Sequence, residues 1–380
     1  MATYATLPNG AMLHRLFERT GGLTVGVEEE VMLLDPVTLD LAPVAREVLA
    51  RLDGDARFKL ELPAAQLEIA TTPTPSALQA VGQLRAARRD LAAACDGLAF
   101  PAAAGLHPFA APEGPLNDGG RYDEIAREYG PIARRQLVAS LQVHVAVGGA
   151  DRTLAVYNAL RCFLPELAAL AANAPFYSGV DSGLASMRPT LCQQLPRQGV
   201  PPRIAGWQQF ADELRWGVAT GARFAPTRWW WELRPHVRLG TLELRVPDAQ
   251  TTVPEAAGVI AFAQALVATL ADDYDAGGPL PDAPSWRIEE NRWSALRHGL
   301  DGTLADLDSG KPVPTRERLN ALVDTVEPAA RRLGCGELLA QTRGLIERNG
   351  ALRQRDAAAE RGGVDGVAAW LAGRFLAGEP

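Results

Sequence analysis

The stretch that most constrains this chain is an apolar run at residues 24 to 34, which carries three consecutive glutamates at its centre. Its β-branched and apolar residues predict a β-strand. Side chains alternate between the two faces of a strand, so Glu28 and Glu30 share one face and Glu29 lies on the other. The face of Glu29 also carries the large apolar residues, and we expect it to face the core.

Two carboxylates side by side on a strand need a cationic partner if either is buried, because unpaired burial of a charge is costly. The candidates are a divalent metal ion and arginine. The alternative is an exposed edge strand with a solvated acidic patch, which the apolar flanks of the run disfavour. The residues on the other polar strands of the chain distinguish between these possibilities.

The composition predicts a soluble globular protein of one large domain or two ordinary ones, with 380 residues, 47% of them hydrophobic and 22% charged. The net charge of -7 argues against a nucleic-acid partner. We find no apolar run of transmembrane length and no signal-peptide pattern in the first ten residues. The expectation is therefore a cytoplasmic protein without a membrane partner.

Cysteine and lysine usage limits the chemistry further. The four cysteines are scattered without a CxxC pair, which disfavours a structural zinc site and favours buried thiols in a reducing compartment, although a cysteine nucleophile stays open. Only two of the 38 basic residues are lysine. Recognition of phosphate or carboxylate groups therefore falls mainly to arginine, backbone N–H groups or metal.

A second acidic segment spans residues 58 to 75 and contains Glu61 and Glu68. Seven residues apart, they lie on opposite faces of one straight strand. A turn at residues 63 to 65 would make two short strands and bring both carboxylates to one side. Taken alone, each glutamate favours a position on the protein surface, but a second acidic pair in an apolar segment favours a shared site.

Two later strands also carry polar residues on one face. In the strand at residues 140 to 147, His144 alternates with valines and lies on the same face as Gln142. It is either a hydrogen-bonded core histidine or a divalent-metal ligand. After a turn predicted at Gly240, Glu243 and Arg245 share one face of the next strand.

The remaining segments predict loops and helices. Residues 76 to 98 predict a helix capped by Ser76, and residues 151 to 174 predict one long buried helix. A loop rich in Gly, Ser and Asp follows and ends in Arg188, which is either a ligand for an anionic group or a solvated arginine. His107 precedes a proline and lies either in a site loop or in a structural turn.

One curved, largely antiparallel sheet would gather all these polar faces. Several carboxylates with one imidazole suit Mg²⁺ or Mn²⁺, and their number implies more than one ion. Such clusters typically hold the phosphates of a nucleotide during phosphoryl transfer. The sequence has neither a P-loop motif nor a G-x-S-x-G elbow.

Six segments, taken in order, resemble the carboxylate–amine ligases of the glutamate–cysteine ligase type 2 (YbdK-like) family: GVEEEVMLLDP, ELPAAQLEIATTP, LQVHVAV, DSGLASMR, RPHVRLGTLELRVPDAQTT and ENRWSALRHGLD. The resemblance implies an α+β, glutamine-synthetase-like fold, in which a curved antiparallel sheet forms a funnel-shaped active site surrounded by helices. It implies a single catalytic domain over residues 1 to 380, with a core at about 15 to 350, a helical C-terminal part, and a homodimer by family habit.

The resemblance also implies an ATP-dependent carbon–nitrogen ligase. ATP phosphorylates a carboxylate, in the type reaction the γ-carboxylate of glutamate, and an amine such as cysteine attacks the acyl phosphate. Two or three Mg²⁺ (or Mn²⁺) ions bridge ATP and substrate. The positions that match the family's metal ligands are Glu28, Glu30, Glu61, Glu68, His144 and Glu243.

Further roles follow from the same resemblance. Arg245 would face the transferring phosphate. The expected catalytic residues are therefore Arg245 and Glu28, and the residues expected to bind the nucleotide are Arg245 and Glu243. Arg188 and Arg135 would hold the carboxylates of the substrate. Gln142 stands where many relatives have a second histidine. Two other readings stay open: a metal-dependent phosphotransferase of the same superfamily, and a nucleotide- and metal-binding protein without turnover.

Overall fold

A seven-stranded antiparallel sheet positions the polar residues of this protein. The computed structural model describes residues 7–220 and 228–378, so the signal-peptide prediction falls largely outside the described residues. The strands are β1 (Val25–Leu34), β2 (Phe58–Leu60), β3 (Gln66–Ala70), β4 (Phe100–Ala102), β5 (Leu141–Val145), β6 (Phe176–Tyr177), β7 (Val180–Asp181), β8 (Leu233–His236), β9 (Thr241–Leu244), β10 (Thr303–Ala305) and β11 (Pro312–Pro314). The main sheet has the order β2-β3-β1-β5-β9-β8, with β4 also paired to β1.

Helices make up most of the remaining described chain. They are α1 (Gly10–Arg19), α2 (Ala45–Arg51), α3 (Ala77–Ala94), α4 (Gly120–Tyr129), α5 (Pro131–Arg134), α6 (Ala150–Leu160), α7 (Leu164–Leu170), α8 (Arg188–Cys192), α9 (Trp207–Ala219), α10 (Val253–Asp275), α11 (Ser285–His298), α12 (Thr315–Arg332), α13 (Leu339–Glu347), α14 (Gly350–Glu360) and α15 (Val364–Arg374). An open antiparallel sheet with helices packed against it is the α+β architecture that the sequence predicts.

The register of the sheet brings the polar faces of four segments together. Glu30 on β1 lies opposite Glu68 on β3, and Glu28 lies opposite Gln142 on β5. One row further, His144 lies opposite Glu243 on β9. These pairs alternate with valines and leucines on the other face, because side chains in neighbouring strands alternate in step.

The apolar face of the sheet packs against α3 and α10. α10 begins with a capping box between Thr252 and Glu255, and the fold buries most of its length. By length and composition alone, α10 would pass as a membrane span, with a mean hydropathy of 1.6 in its most apolar window. Since 89% of that window is buried inside the structure, α10 is the core helix of the fold.

Two local predictions need correction. The single helix expected over residues 151 to 174 is broken, because α6 ends at Leu160, a 3₁₀ turn follows, and α7 begins with Pro165 in its first turn. Proline there has no N–H to lose and a φ suited to a helix start. The loop that precedes Arg188 contains the β6–β7 hairpin, and Arg188 itself is the first residue of α8.

Two predicted turns are present. Pro63 and the two alanines that follow it separate β2 from β3, which places Glu61 and Glu68 on the same side of the sheet. Gly240 connects β8 to β9 with φ +70°, a conformation that glycine adopts at little cost. Ser76 has the extended backbone of an N-cap residue, although its side chain makes no capping bond.

Candidate active site

A cavity of about 350 Å³ opens on the polar face of the sheet. We call it the active-site cavity. Its walls come from β1, β2, β3, β5, β8, α4, α8 and the segments that flank them. Seven of the residues singled out from the sequence line it: Glu28, Glu30, Glu61, Glu68, Gln142, Arg188 and Arg245. The predicted ligands His144 and Glu243 are not among its lining residues.

Glu28, His144 and Glu243, here called the Glu28 cluster, could hold a metal ion, because one ligand atom of each lies within 4.8 Å of the others. The Nδ1 of His144 is 3.0 Å from the hydroxyl of Thr241, which can accept its proton. Its Nε2 is buried, has no hydrogen-bond partner among the described residues, and lies 3.8 Å from Glu28 Oε2. An imidazole fixed through Nδ1, with a free Nε2 beside two carboxylates, is the usual arrangement of a metal-binding histidine.

The charges around this cluster keep its carboxylates ionised. Burial raises the pKa of Glu28, but the neighbouring ring of His144 outweighs it and lowers the pKa overall. Burial of Glu243 is outweighed by Arg234 and Arg245, which hold the pKa of that carboxyl well below its usual range. Arg234 donates to both oxygens of Glu243, at 2.6 and 3.0 Å. A carboxylate has about four acceptor positions, so a metal ion can share Glu243 with the arginines.

Glu30, Glu61 and Glu68, here called the Glu61 cluster, have the opposite electrostatics. Burial and the neighbouring charges of Glu68 and Glu30 raise the pKa of Glu61 well above its usual value. Burial also raises the pKa of Glu30, although Arg245 opposes this. Lys59 contacts Glu68 at 3.0 Å. Arg121 contacts Glu61 at 3.4 Å, so the cluster has two cationic contacts for three acids. A divalent cation would supply further positive charge, and the residues of this cluster therefore also fit one.

Gln142 links the two clusters. Its Nε2 donates to Glu30 at 3.1 Å, and its Oε1 accepts from Arg245 Nη1 at 2.5 Å. The same Arg245 Nη1 contacts Glu243. Glu30 also accepts from the backbone N–H of Ser140 at 2.6 Å. The side chains between the clusters are therefore tied into one hydrogen-bonded network.

Arg188 lines the cavity but is largely committed to the protein. Its Nε donates to Asp248 at 2.6 Å and its Nη2 to the carbonyl of Val246 at 2.5 Å. Ser186 also donates to Asp248, which fixes the carboxylate. Among the described residues, the Nη1 of Arg188 contacts only the Sγ of Cys192, at 3.9 Å, so this edge of the guanidinium can bind an anion.

Several other residues lie outside the cavity. Arg135 does not line it and pairs instead with Glu113 at 2.9 Å, so the structure does not bring Arg135 together with Arg188. His107 forms a structural turn, in which Nε2 lies 2.8 Å from the carbonyl of Leu39 and Nδ1 accepts from Ala110 N. All four cysteines are free thiols; three are buried, as expected, whereas Cys192 is partly exposed and lines the cavity.

Glu29 lies on the opposite face of β1, as the alternation predicts. It is fully buried and makes a two-point ion pair with Arg88 of α3, at 2.6 and 2.7 Å. Arg88 also donates to the carbonyl oxygens of Gln250, Thr251 and Phe375. The three consecutive glutamates thus divide between the site and a buried anchor behind it.

Sequence reasoning missed part of the cavity wall. His236 lies two residues after Arg234 on β8, so alternation was a usable signal, and burial lowers its pKa to about 4. The residues of α4 and of the segment after α8 carry no such signal, because their approach depends on tertiary packing. The missed lining residues include Lys59, Gln66, Arg121, Tyr122, Ile125, Leu195, Gln198, Arg228, Trp230, Glu232, Arg234 and His236.

Comparison with known proteins places the chain among the ATP-dependent carboxylate–amine ligases of the glutamate–cysteine ligase type. The chain belongs to the glutamate–cysteine ligase family 2, whose family model matches residues 24–369. A relative from Rubrobacter xylanophilus, provisionally named glutamate–cysteine ligase 2-3, is 39% identical over 360 residues, which cover 92% of this chain and 96% of the relative.

Solved structures share the fold at low sequence identity. One is the crystal structure of a glutamate–cysteine ligase of Francisella tularensis in complex with AMP, with a TM-score of 0.68 at 12% identity, covering 96% of this chain and 90% of that one. Another is a bifunctional glutathione synthetase from Pasteurella multocida, with a TM-score of 0.62 at 15% identity, covering 97% of this chain and 53% of that one. The fold class expected from the sequence is confirmed.

Proposed function

We propose that this protein uses ATP to phosphorylate the γ-carboxylate of glutamate, and that cysteine or another amine then attacks the acyl phosphate. The attack forms an amide and displaces phosphate, and ADP leaves from the first step. The observation that carries the proposal is the free, buried Nε2 of His144 beside Glu28 and Glu243, next to a second cluster of crowded acids. Two adjacent sites for cations on one cavity suit phosphoryl transfer between two anions.

The Glu28 cluster and the Glu61 cluster would each hold Mg²⁺ or Mn²⁺, which gives two or three ions in total. Bound there, the ions would neutralise the charge of the phosphates and of the acid. Thr241 fixes the ring of His144, and the arginines on Glu243 keep that carboxylate ionised. The chain thus prepares the carboxylates of the Glu28 cluster in the ionised state that cation binding needs.

Arg245 supports phosphoryl transfer in this proposal. It lies between the clusters, with its guanidinium held against Gln142 and Glu243, and it lines the cavity. A guanidinium fixed in this way can stabilise charge on the transferring phosphoryl group without reorganising. Arg188 would bind a carboxylate of the acid through its Nη1 edge, because its other donors are occupied.

The proposal extends to the setting of the enzyme. Four free thiols suit a reducing cytoplasm. The proposed substrates besides ATP are small amino acids and amines. A homodimer follows from family habit, and sedimentation of the purified protein would test it.

The test is phosphate release from ATP with Mg²⁺ and glutamate, across a panel of amines that includes cysteine, with product masses recorded. Release that depends on the amine, together with a product mass equal to both substrates minus water, would support the ligase. ADP formation that needs glutamate but no amine would instead support a phosphotransferase. If no amine supports release, a second panel of acids with cysteine fixed tests whether the acid is another carboxylate.

A further inference from the structure

Gln66 is a buried residue of the active-site cavity whose side-chain amide nitrogen has no hydrogen-bond partner among the described residues. It is the first residue of β3, is 1% exposed, and lines the cavity. Buried amides are nearly always hydrogen-bonded in folded proteins, so this one requires an explanation.

The backbone fixes where the amide lies. The N–H of Gln66 donates to the carbonyl of Pro63 at 3.1 Å, within the turn that precedes β3. Gln66 pairs with Met32 on β1 and lies two residues from Glu68, on the same face. The amide is therefore held beside the Glu61 cluster, and we expect its free donors to meet whatever fills the cavity.

A satisfied glutamine elsewhere in the fold shows the contrast. Gln264 on α10 is also buried, but its Oε1 accepts from the N–H of Ala77 at 2.8 Å. Its Nε2 donates to the carbonyl oxygens of Leu23 and Pro75, at 2.8 and 3.1 Å. Gln264 thus joins α10 to the start of α3, whereas the amide of Gln66 joins nothing within the described protein.

The position of Gln66 indicates which ligand it meets. Along β1, the row that contains Gln66 follows the row of Glu30 and Glu68 and lies farthest from His144 and Glu243. The backbone N–H of Ser140 donates to Glu30, and Ser140 pairs with Asp248 in an isolated antiparallel β-bridge. Asp248 in turn accepts from Arg188. Gln66 and Arg188 therefore lie toward the same end of the polar face, the end that the proposed function gives to the acid.

We infer that the amide of Gln66 binds the α-amino acid head group of the acid substrate, an inference that rests on the proposed function. A neutral amide can accept from an ammonium and donate to a carboxylate, so it suits a zwitterion. Arg188 alone cannot recognise an ammonium. Gln66 then determines specificity, because it favours an amino acid over the same dicarboxylate without the amino group.

The experiment compares glutamate with glutarate in the wild type and in Gln66→Met, which keeps the length of the side chain and removes the amide. We expect Gln66→Met to raise the KM for glutamate about 10- to 100-fold, as for loss of a hydrogen bond to a charged group. The KM for ATP should stay within about twofold, and the preference for glutamate over glutarate should fall. An unchanged glutamate KM, or an unchanged preference, would overturn the inference.

Thermal unfolding without ligands separates this role from a structural one. Because the amide has no partner within the described protein, Gln66→Met should leave the melting temperature unchanged or raise it. The matched control, Gln264→Met, loses the hydrogen bonds to Leu23, Pro75 and Ala77 and should lower the melting temperature while the KM for glutamate stays unchanged. A lower melting temperature for Gln66→Met with unchanged kinetics would assign Gln66 to the scaffold.

Binding keeps the inference distinguishable from the proposed function. Stabilisation by glutamate with Mg²⁺ and a non-hydrolysable ATP analogue is measured for both proteins. If the wild type is stabilised but shows no amine-dependent phosphate release, the proposed function fails, and loss of that stabilisation in Gln66→Met would still support the inference. If glutamate neither binds to the wild type nor reacts, both fail as stated.

Discussion

Replacement of Arg88 by methionine is expected to be among the most destabilising single changes in this protein. Arg88 is fully buried, and so is the Glu29 carboxylate that it neutralises. The substitution leaves that charge in the core without a counter-ion and also removes donors from three backbone carbonyl groups. Breaking one partner out of a buried ion pair costs about 3–5 kcal/mol.

That cost sets the size of the expected effect. With an unfolding entropy of about 2.1 cal/mol/K per residue, this chain has roughly 0.8 kcal/mol/K in total, so Arg88→Met should lower the melting temperature by about 4–6 °C. Differential scanning calorimetry measures the shift directly. A decrease of less than about 1 °C would refute the reasoning, because it would mean that the pair contributes little to the stability of the sheet.

The double variant Glu29→Leu/Arg88→Met provides the control. Since it removes both charges, it should recover most of the stability lost in Arg88→Met, as expected for replacement of a buried pair by apolar groups. Glu29→Leu alone should be destabilising as well, because Arg88 is then the unpaired charge. A double variant that is less stable than both single variants would contradict this account.

Three further predictions concern the site. Glu28→Gln should lower turnover at least about 100-fold, since loss of second-shell groups alone costs 10- to 100-fold, while circular dichroism and melting temperature stay close to wild type; near-normal turnover would remove Glu28 from the metal ligands. In metal-free protein, the raised pKa of Glu61 makes the native state bind more protons than the unfolded chain, so stability should increase as pH falls from neutral toward 4.5, the ordinary value for glutamate. Urea unfolding across that range should show a weaker dependence in Glu61→Gln, and an identical dependence would refute the assignment. Arg188→Lys should raise the KM for the acid about 10-fold or more with little change for ATP, because lysine cannot reproduce a guanidinium edge; steady-state kinetics with each substrate varied in turn would show an equal rise in both if the role is only structural.

Alternation along strands predicted much of the site. It separated Glu28 and Glu30 from Glu29, and the turn at Pro63 brought Glu61 and Glu68 to one side, because a period of two is strict once one face is buried. His144 and Glu243 lie opposite each other on neighbouring strands. The sequence predicted that each lies on a polar face, but not that the two residues pair.

The rest depends on packing that no local pattern encodes. Arg121 and Tyr122 enter the cavity wall because α4, which has no buried residue, lies over β2. The break between α6 and α7 was missed because apolar periodicity continues through Pro165. Gln66 went unnoticed since a glutamine in a strand is unremarkable until its hydrogen bonds are followed.

The contacts of Arg88 behind β1 also limit how early in translation this part of the fold can be completed. The guanidinium of Arg88 takes partners from residues 29, 250, 251 and 375, so the rear of the acidic strand cannot be completed until the ribosome has passed residue 375. At a translation rate of about 5–20 residues per second, roughly 20 to 70 s pass between the synthesis of β1 and that of residue 375. The partners of its carboxylates, from Arg88 to His144, are synthesised early in that interval, and the bond from Arg88 to the carbonyl of Phe375 is the last contact of the anchor that can form.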